Sequence, residues 1–495
     1  MLVNLGKLLD ENQPADAVAI IDCLDFEHPR AYTHGDIDRL ADACARGLLA
    51  QGLTRGDTVA LMSLNRAEYV IAYLAIMRAG LVAVPVNYKL AGDTLALILA
   101  DCQAKLVFVD EARQALLPPG MPAQRLDGPA WDAFLDPGPF TPVTPDDAAC
   151  AMVLYTSGST GRPKGVQLSH QGQLWTLRSR LATRASFLDE RFIVAAPLFH
   201  MNALASVKFA LAGHASIVLL PQFDARQFIR AIGRHGVTWV TSVPTMMAMV
   251  VKEQDALRAI DTSRVHYVRM GSAAASAKLY QTVKEAFPNA SLAGGYGTTE
   301  AGPIVFGPVP GHALPSDGGL GWPLPGVEVR LVDDQGCDTQ EGELWMRTPA
   351  NMLGYLNLPE KTAEVLTADS WYKSGDVFRR NTDGCYYFVG RVDDMFNCGG
   401  ENIYPGEVEQ VIARIPEVMQ ACVIPVRDEL KGHKPVAFVV RHTGATLTEQ
   451  QVKDFVLASA PAYQHPRRVY FVDTLPLAAT NKIDRRALLQ IAESA

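Results

Sequence analysis

The chain has 495 residues, of which 48% are hydrophobic and 20% are charged, as expected for a globular protein with a sizeable core. Its formal net charge of -8 argues against a nucleic-acid partner, because proteins that bind nucleic acids usually carry a basic surface. No stretch of about 18 apolar residues predicts a membrane span, and no signal peptide is recognisable. We therefore expect a cytoplasmic protein whose eight cysteines are mostly buried thiols, since none forms a Cys-x-x-Cys pair.

Short apolar runs alternate with helical patterns from about residue 30 to about residue 330. In chain order, the sequence predicts a strand at 59–62, a helix at 67–78, strands at 81–86 and 216–220, a helix at 225–234, strands at 237–241 and 265–270, and a helix at 277–287. This alternation is typical of α/β layers built on a largely parallel sheet.

The pattern changes twice after this region. Residues 321–349 alternate like short strands, and a compact α+β pattern follows Asp393, with strands at 421–424 and 436–440 and a helix at 449–459. The predicted fold class is α/β. We expect a large N-terminal domain of layered α/β subdomains with a small β-rich region, residues 1–391, and a small mobile α+β C-terminal domain, residues 392–495.

A segment rich in glycine and hydroxyl residues follows a predicted strand at 151–155. It runs Thr156-Ser157-Gly158-Ser159-Thr160-Gly161-Arg162-Pro163-Lys164-Gly165, and a helical pattern is predicted to resume near Leu168. Glycines let backbone N–H groups turn towards an anion, and hydroxyls and a lysine add donors, so the segment predicts a phosphate-binding loop. It is not a Walker motif, because proline precedes the lysine and glycine follows it. Taken alone, such a loop is equally compatible with a simple turn.

The eleven residues from Tyr155 to Gly165 resemble the phosphate loop of the adenylate-forming superfamily, which includes acyl-CoA synthetases, adenylation domains of peptide synthetases and beetle luciferases. Further segments that resemble motifs of this superfamily follow in the same order. They are Pro197-Leu198-Phe199-His200, Met270-Gly271-Ser272-Ala273-Ala274, Gly295-Tyr296-Gly297-Thr298-Thr299-Glu300, Tyr372-Lys373-Ser374-Gly375-Asp376, Gly390-Arg391-Val392-Asp393-Asp394, Gly399-Gly400-Glu401-Asn402-Ile403-Tyr404 and Thr480-Asn481-Lys482.

The resemblance implies an ATP site with Mg²⁺. It assigns nucleotide binding to Thr156, Ser157, Gly158, Ser159, Thr160, Gly161, Lys164, Gly271, Ser272, Ala273, Gly295, Tyr296, Gly297 and Thr298. It further implies that Thr299 contacts the α-phosphate and that Glu300 binds Mg²⁺, a cation that prefers oxygen ligands. Asp376 would accept bonds from the ribose hydroxyls, and Arg391 would hold ribose or phosphate.

Other roles implied by the resemblance concern the acid, coenzyme A and domain movement. His200 would gate the acid pocket, and Lys482 would orient the carboxylate and stabilise the charged transition state. Asp393 lies at the position of the interdomain hinge, and Gly399, Gly400 and Glu401 would line the path of the CoA pantetheine arm. Taken singly, each of these side chains has an ordinary structural explanation, and the functional interpretation depends on their joint order.

The implied function is a carboxylic acid–CoA ligase with ATP, Mg²⁺ and coenzyme A as cofactors and an aryl or short- to medium-chain aliphatic acid as substrate. The main alternative is a stand-alone acyl-AMP ligase that loads an acyl carrier protein. An amino-acid adenylation domain, a luciferase-like oxygenase and a catalytically silent nucleotide-binding protein are less favoured. A dehydrogenase is the least favoured, because Glu300 stands where the dinucleotide fingerprint has its last glycine. The identity of the acid and assembly into a homo-oligomer stay open.

Overall fold

The computed structural model describes residues 2–157, 162–272, 275, 277–307, 319–442, 444–477 and 483–494. Within these ranges the large domain contains two seven-stranded sheets, a four-stranded sheet and a two-stranded sheet, and the C-terminal domain contains one five-stranded sheet. The mixed α/β class and the two-part organisation expected from the sequence are confirmed.

Six parallel strands and one antiparallel edge strand form the first sheet. In spatial order they are Ser291–Gly295, Tyr267–Gly271, Trp239–Ser242, Arg191–Val194, Ser216–Leu219, Val18–Asp22 and the antiparallel Arg30–Thr33. Successive side chains of a strand point to opposite faces of the sheet. Ile193, Val240 and Val268 therefore pack with apolar helix residues on one face, whereas Phe192 and Trp239 join the central core on the other.

The second sheet carries the predicted phosphate loop. In spatial order its strands are Gly354–Tyr355, Pro163–Ser169, Cys150–Ser157, Val82–Pro85, Thr58–Met62, Leu106–Val109 and Ala123–Arg125. The last five strands of this order are parallel, and Pro163–Ser169 pairs antiparallel with both of its neighbours.

The helices of the large domain cover and separate these sheets. They are His34–Ala50, Ala67–Arg78, Gly92–Asp101, Glu111–Gln114, Pro129–Phe134, His170–Leu181, Met201–Ala212, Ala225–His235, Pro244–Lys252, Gln254–Arg258, Ala277–Ala286 and Pro359–Val365. Ala67–Arg78 is buried along its whole length. Its Arg78 side chain is neutralised by the carboxylates of Asp38 and Asp42, because a buried charge is tolerated only when it is paired.

The predicted β-rich region is confirmed and extends further than the sequence indicated. It forms a four-stranded antiparallel sheet of Glu328–Val332, Glu341–Arg347, Tyr372–Arg380 and Tyr386–Arg391, and a two-stranded pair of Phe306–Gly307 and Trp322–Pro323. This sheet brings Asp376 directly opposite Arg391 on the next strand of the chain.

The C-terminal domain is built on a sheet with a core on each face. Its strands, in spatial order, are Glu401–Ile403, Phe396–Cys398, Gly432–Arg441 and Val418–Asp428, with Arg468–Phe471 parallel to Gly432–Arg441. Its helices are Pro405–Ile412, Glu449–Ser459 and Arg485–Ser494, with a 3₁₀ turn at Ala462–Gln464. Val423 and Val439 belong to one core, and Cys422 and Phe438 belong to the other.

One strand was not predicted from the sequence. The helix expected near Leu168 begins at His170, and the strand Pro163–Ser169 precedes it. The segment after the loop pairs with Cys150–Ser157, so the loop connects two antiparallel strands rather than a strand and a helix. Ser169 then caps the helix by accepting a hydrogen bond from the Gly172 amide.

No helix within the described ranges has both the length and the apolar character needed to cross a bilayer. All eight cysteines are free thiols, and most of them are buried, whereas Cys337 is exposed.

Candidate active site

The phosphate-loop segment is held by a β-hairpin of the second sheet. Thr156 lies opposite Lys164, and Ser157 lies opposite Pro163, so the hairpin fixes both ends of the loop. The predicted phosphate ligands Gly158, Ser159, Thr160 and Gly161 lie outside the described residues. The Lys164 ammonium lies 4.5 Å from the ring centroid of Tyr355, on the neighbouring edge strand.

Thr299 and Glu300 occupy the tip of a tight turn. Two backbone hydrogen bonds between Thr298 and Gly302, of 3.0 and 3.1 Å, close this turn, and the Thr298 hydroxyl accepts a bond from the Ala301 amide. Gly297 has to be glycine here, because a Cβ atom would lie 2.3 Å from the carbonyl carbon of Pro303. The turn therefore presents two polar side chains on a rigid backbone.

Glu300, Tyr355 and Lys164 form a polar cluster between the turn and the second sheet. The Tyr355 hydroxyl donates a 3.1 Å hydrogen bond to Glu300 Oε1. Burial raises the pKa of the Glu300 carboxyl above its ordinary value, although the Tyr355 hydrogen bond and the charges of Lys164 and Arg391 oppose this rise. The cluster thus combines a desolvated carboxylate with an adjacent ammonium group at the edge of the phosphate loop.

A second cluster centres on Asp376. Its carboxylate accepts a 2.6 Å hydrogen bond from the Tyr296 hydroxyl and forms a 3.1 Å ion pair with Arg391. Burial, and then the charge of Asp376, raises the pKa of Tyr296 well above its ordinary value, so Tyr296 stays a donor. Glu343, which no sequence motif indicated, accepts the Gly375 amide at 2.9 Å and fixes the turn before Asp376.

The carboxyl ends of two parallel strands meet beside these clusters. Gly271 lies opposite Gly295 in the first sheet, and Ser272 follows with a positive φ of 69°. The Arg269 side chain covers Gly295, where a Cβ atom would come within 2.6 Å of Arg269 Nε. Ligands commonly bind at the carboxyl ends of parallel strands, which supports the predicted position of the site. Ala273 lies outside the described residues.

His200 lies at the start of the helix Met201–Ala212 and belongs to a segment fixed by a residue that the sequence did not indicate. Its ring packs against Phe199 at a centroid distance of 4.6 Å. Asn65 donates bonds to the carbonyl oxygens of Ala196 and Leu220 and accepts the Leu198 amide, so one buried amide side chain fixes the segment before His200.

The predicted CoA and hinge residues lie on and beside the C-terminal domain. Gly399 and Gly400 form a tight turn with positive φ of 64° and 97°, which leads into Glu401. Asp393 is exposed in the turn between Tyr386–Arg391 and Phe396–Cys398. No hydrogen bond or ion pair within the described ranges joins the Gly399–Glu401 turn to the Glu300 or Asp376 clusters. Lys482 lies outside the described residues.

The structure therefore brings together Lys164, Glu300 and the Asp376–Arg391 pair, which come from three widely separated parts of the sequence. Burial raises the pKa values of both Glu300 and Tyr355, and the nearby charge of Arg391 opposes both rises, as expected if the two polar clusters are neighbours. Tyr355 was missed because a Gly-Tyr pair has no distinctive sequence signature. Arg269 was also missed, although the sequence could have indicated it, because it is a charged residue inside an otherwise apolar strand pattern that ends at Gly271.

Two protein-family models match the chain. The model of the AMP-binding enzyme family matches residues 10–356, most of the chain, and that of the AMP-binding enzyme C-terminal domain matches residues 407–482. The chain belongs to the AMP-binding enzyme family. The unmatched interval between the two family models contains Asp376, Arg391 and Asp393.

Individual relatives of this AMP-binding enzyme are CoA ligases. The chain is 30% identical over 491 residues to 4-coumarate–CoA ligase 2 of Solanum tuberosum, covering 94% of this chain and 90% of that protein. It is 34% identical over 460 residues to feruloyl-CoA synthase of an Amycolatopsis species, covering 92% of both proteins. The solved anthranilate CoA ligase AuaEII in complex with anthranoyl-AMP superimposes with a TM-score of 0.90 and 26% identity, covering 100% of this chain and 99% of that chain.

The family and its relatives establish the reaction class. The chain is an AMP-forming acid–thiol ligase that joins a carboxylic acid to coenzyme A in an ATP-dependent reaction through an acyl-AMP intermediate. ATP and coenzyme A are its substrates. The superfamily resemblance carried by the eleven-residue loop is thereby confirmed.

Proposed function

We propose that this ligase activates an aryl or short- to medium-chain carboxylic acid, and that the Lys164, Glu300 and Asp376 clusters hold MgATP during the first half-reaction. The observation that carries the proposal is the convergence of these three motifs at the strand ends marked by Gly271 and Gly295. The names of its relatives, which are ligases of 4-coumarate, ferulate and anthranilate, favour an aromatic acid.

The donor set at Glu300 fits Mg²⁺. This ion is commonly bound through one or two carboxylates together with substrate phosphates and water, and does not need a cage of protein ligands. Within the described ranges no group of three metal-ligating side chains occurs, and Glu300 is a desolvated carboxylate with Lys164 nearby. Bound at Glu300, Mg²⁺ would neutralise phosphate charge as pyrophosphate leaves.

The first half-reaction requires positioning more than a protein nucleophile. The substrate carboxylate attacks the α-phosphorus of ATP, the bond to the bridging oxygen of the β-phosphate breaks, and pyrophosphate leaves. Lys164 and the loop amides neutralise the developing phosphate charge, and Thr299 lies beside Glu300 at the tip of the same rigid turn. Asp376, oriented by Tyr296 and Arg391, accepts bonds from the ribose hydroxyls.

The second half-reaction requires a different surface over the same acyl group. The CoA thiolate attacks the acyl carbon, and AMP leaves with the oxygen that bridged the acyl group and phosphate. We assign Lys482 to the first half-reaction and the Gly399–Glu401 turn to the second, with rotation of residues 392–495 about Asp393 between them. The exposed turn at Asp393 and the separate cores of the C-terminal domain support this assignment.

A panel experiment tests the proposal. The purified chain is incubated with MgATP and each of a set of aryl and aliphatic acids, with and without CoA, and pyrophosphate and acyl-CoA are measured. We expect an acyl-CoA product from at least one aryl or short- to medium-chain acid and loss of activity when EDTA removes Mg²⁺. Pyrophosphate without acyl-CoA, followed by acyl transfer to a pantetheinylated carrier protein, would instead support the acyl-AMP ligase that loads a carrier protein.

A further inference from the structure

The face of the first sheet behind Gly271 carries hydrogen-bond donors that the adenylation step does not use. Tyr267, Arg269 and Gly271 alternate along one strand and share this face, and Trp239 lies opposite Tyr267 on the next strand. At roughly 3.3 Å per residue, Tyr267 lies about 13 Å from the strand end at Gly271. The row therefore starts at the strand end where the acid is activated and runs away from it along the sheet.

Arg269 is the first donor in the row. Its side chain is buried, at 6% exposure, and Nη2 donates a 3.2 Å hydrogen bond to the carbonyl oxygen of Pro303. Among the described residues no carboxylate lies within ion-pair distance of this guanidinium. Burial lowers the pKa of Arg269, as expected for a cation that lacks a counter-ion.

Arg180 reaches the same region from the helix His170–Leu181. Its guanidinium carbon lies 3.8 Å from the ring centroid of Phe209, and no described carboxylate forms an ion pair with it. Burial and the like charge of Arg269 lower the pKa of Arg180 to about 9. The buried carboxylate of Glu190 already pairs with Arg184 and His266.

Trp239 supplies a third donor in the same region. Its ring lies 4.0 Å from that of Tyr267 and 6.3 Å from that of Phe209, the residue that packs under Arg180. The indole is 9% exposed, and its buried Nε1–H has no hydrogen-bond partner among the described residues. Buried donors are normally paired, so an unpaired indole N–H beside two cations without counter-ions points to an acceptor that arrives with a ligand.

We propose that Arg180, Arg269 and Trp239 bind a second anionic group at the far end of the acid pocket, so that the preferred substrate is a dicarboxylate or another acid with a distal anion. This inference rests on the proposed function and narrows its substrate class. An acid with an alkyl group at that end leaves both guanidinium groups without a counter-ion and the indole N–H without an acceptor, and a site built for such interactions discriminates strongly against it.

Matched pairs of acids test this inference directly. The probes are 4-carboxycinnamate against 4-methylcinnamate, and glutarate against hexanoate, each assayed for acyl-CoA formation with MgATP and CoA. In at least one pair, we expect kcat/KM for the dianionic acid to exceed that for its neutral-ended partner by about 100-fold or more. Preference for the neutral-ended acid in both pairs would overturn the inference.

Two variants and a control connect the preference to the named residues. Arg269→Met and Arg180→Met retain side-chain bulk and are expected to lower the dianion-to-neutral ratio of kcat/KM by about 100-fold. The ratio is unaffected by the fraction of folded enzyme, since both acids are assayed on one preparation. Arg191→Met is the control, because Arg191 lies in the same sheet and, among the described residues, its side chain bonds the Ser216 hydroxyl and the His235 carbonyl oxygen. Its ratio should match that of the unaltered chain.

The acyl-CoA products distinguish failure of the proposed anion site from failure of the proposed ligase function. Acyl-CoA from neutral-ended acids alone would overturn the anion site and leave the ligase function standing. A dianion preference that persists in both Arg180→Met and Arg269→Met would overturn the assignment of these residues. Absence of acyl-CoA from every acid would contradict the proposed function and, with it, this inference.

Discussion

The hydrogen bond from Tyr355 to Glu300 allows a sharp test of the proposed MgATP site. Tyr355→Phe removes the hydroxyl that donates to Glu300 Oε1 at 3.1 Å, while the ring that faces the Lys164 ammonium stays in place. Hydrogen bonds to charged groups contribute about 1.5–3 kcal/mol, and about 1.36 kcal/mol corresponds to a tenfold change in rate. We therefore expect kcat/KM for MgATP to fall by about 10- to 150-fold.

The assay is pyrophosphate release at varied MgATP with saturating acid, on four proteins: the unaltered chain, Tyr355→Phe, Glu300→Gln and the double variant. If Tyr355 acts through Glu300, the double variant should be no more impaired than Glu300→Gln alone, since groups in direct contact couple. Additive effects of the two substitutions would refute this reasoning. The control is Tyr32→Phe, which removes a similar buried bond from Tyr32 to Glu68 at 3.4 Å, and it should leave kcat/KM unchanged.

Four further predictions address other parts of the site. Lys482→Ala should abolish adenylation yet leave thioester formation from supplied acyl-AMP, and equal loss of both half-reactions would contradict the role of Lys482. Asp393→Pro should slow the CoA step more than adenylation, as measured by single-turnover acyl transfer, and an equal effect would remove the hinge role. Because burial raises the pKa of Glu300 and only the deprotonated carboxylate binds a cation, KM for MgATP should rise as pH falls. Glu300→Gln should lose this pH dependence. Gly297→Ala should lower both Tm and ATP-dependent activity because its Cβ atom would meet Pro303, whereas Gly92→Ala, with nothing within 4 Å of the added atom, should not.

Much of the fold could be predicted because local signals and tertiary contacts agree. The helices at Ala67–Arg78 and Glu449–Ser459 match their predicted bounds, the second beginning with a capping box formed by Thr448 and Gln451. The strand Pro163–Ser169 was missed because it is stabilised by pairing with Cys150–Ser157. Its proline and glycine are uncommon inside strands, so the local sequence does not predict a strand there.

In the candidate site, too, the sequence predicted some residues but not the tertiary contacts that orient them. The motifs located Glu300 and Asp376, since their residue order resembles a known superfamily. Their partners Tyr355 and Tyr296 are assembled across different sheets, so the hydrogen bonds that orient both carboxylates could not be derived from spacing. Arg180 is a further example, because a helical arginine is usually a solvated cation and only its packing on Phe209 sets it apart.

Oxygen transfer from the acid tests the central claim of adenylation most directly. An acid that the panel identifies as a substrate is labelled with ¹⁸O in both carboxylate oxygens and is converted to acyl-CoA with MgATP and CoA, and the released AMP is analysed by mass spectrometry. Attack of the carboxylate on the α-phosphorus predicts one ¹⁸O atom in each AMP and none in pyrophosphate. Unlabelled AMP, with the label in phosphate released from another position of ATP, would contradict an acyl-AMP intermediate.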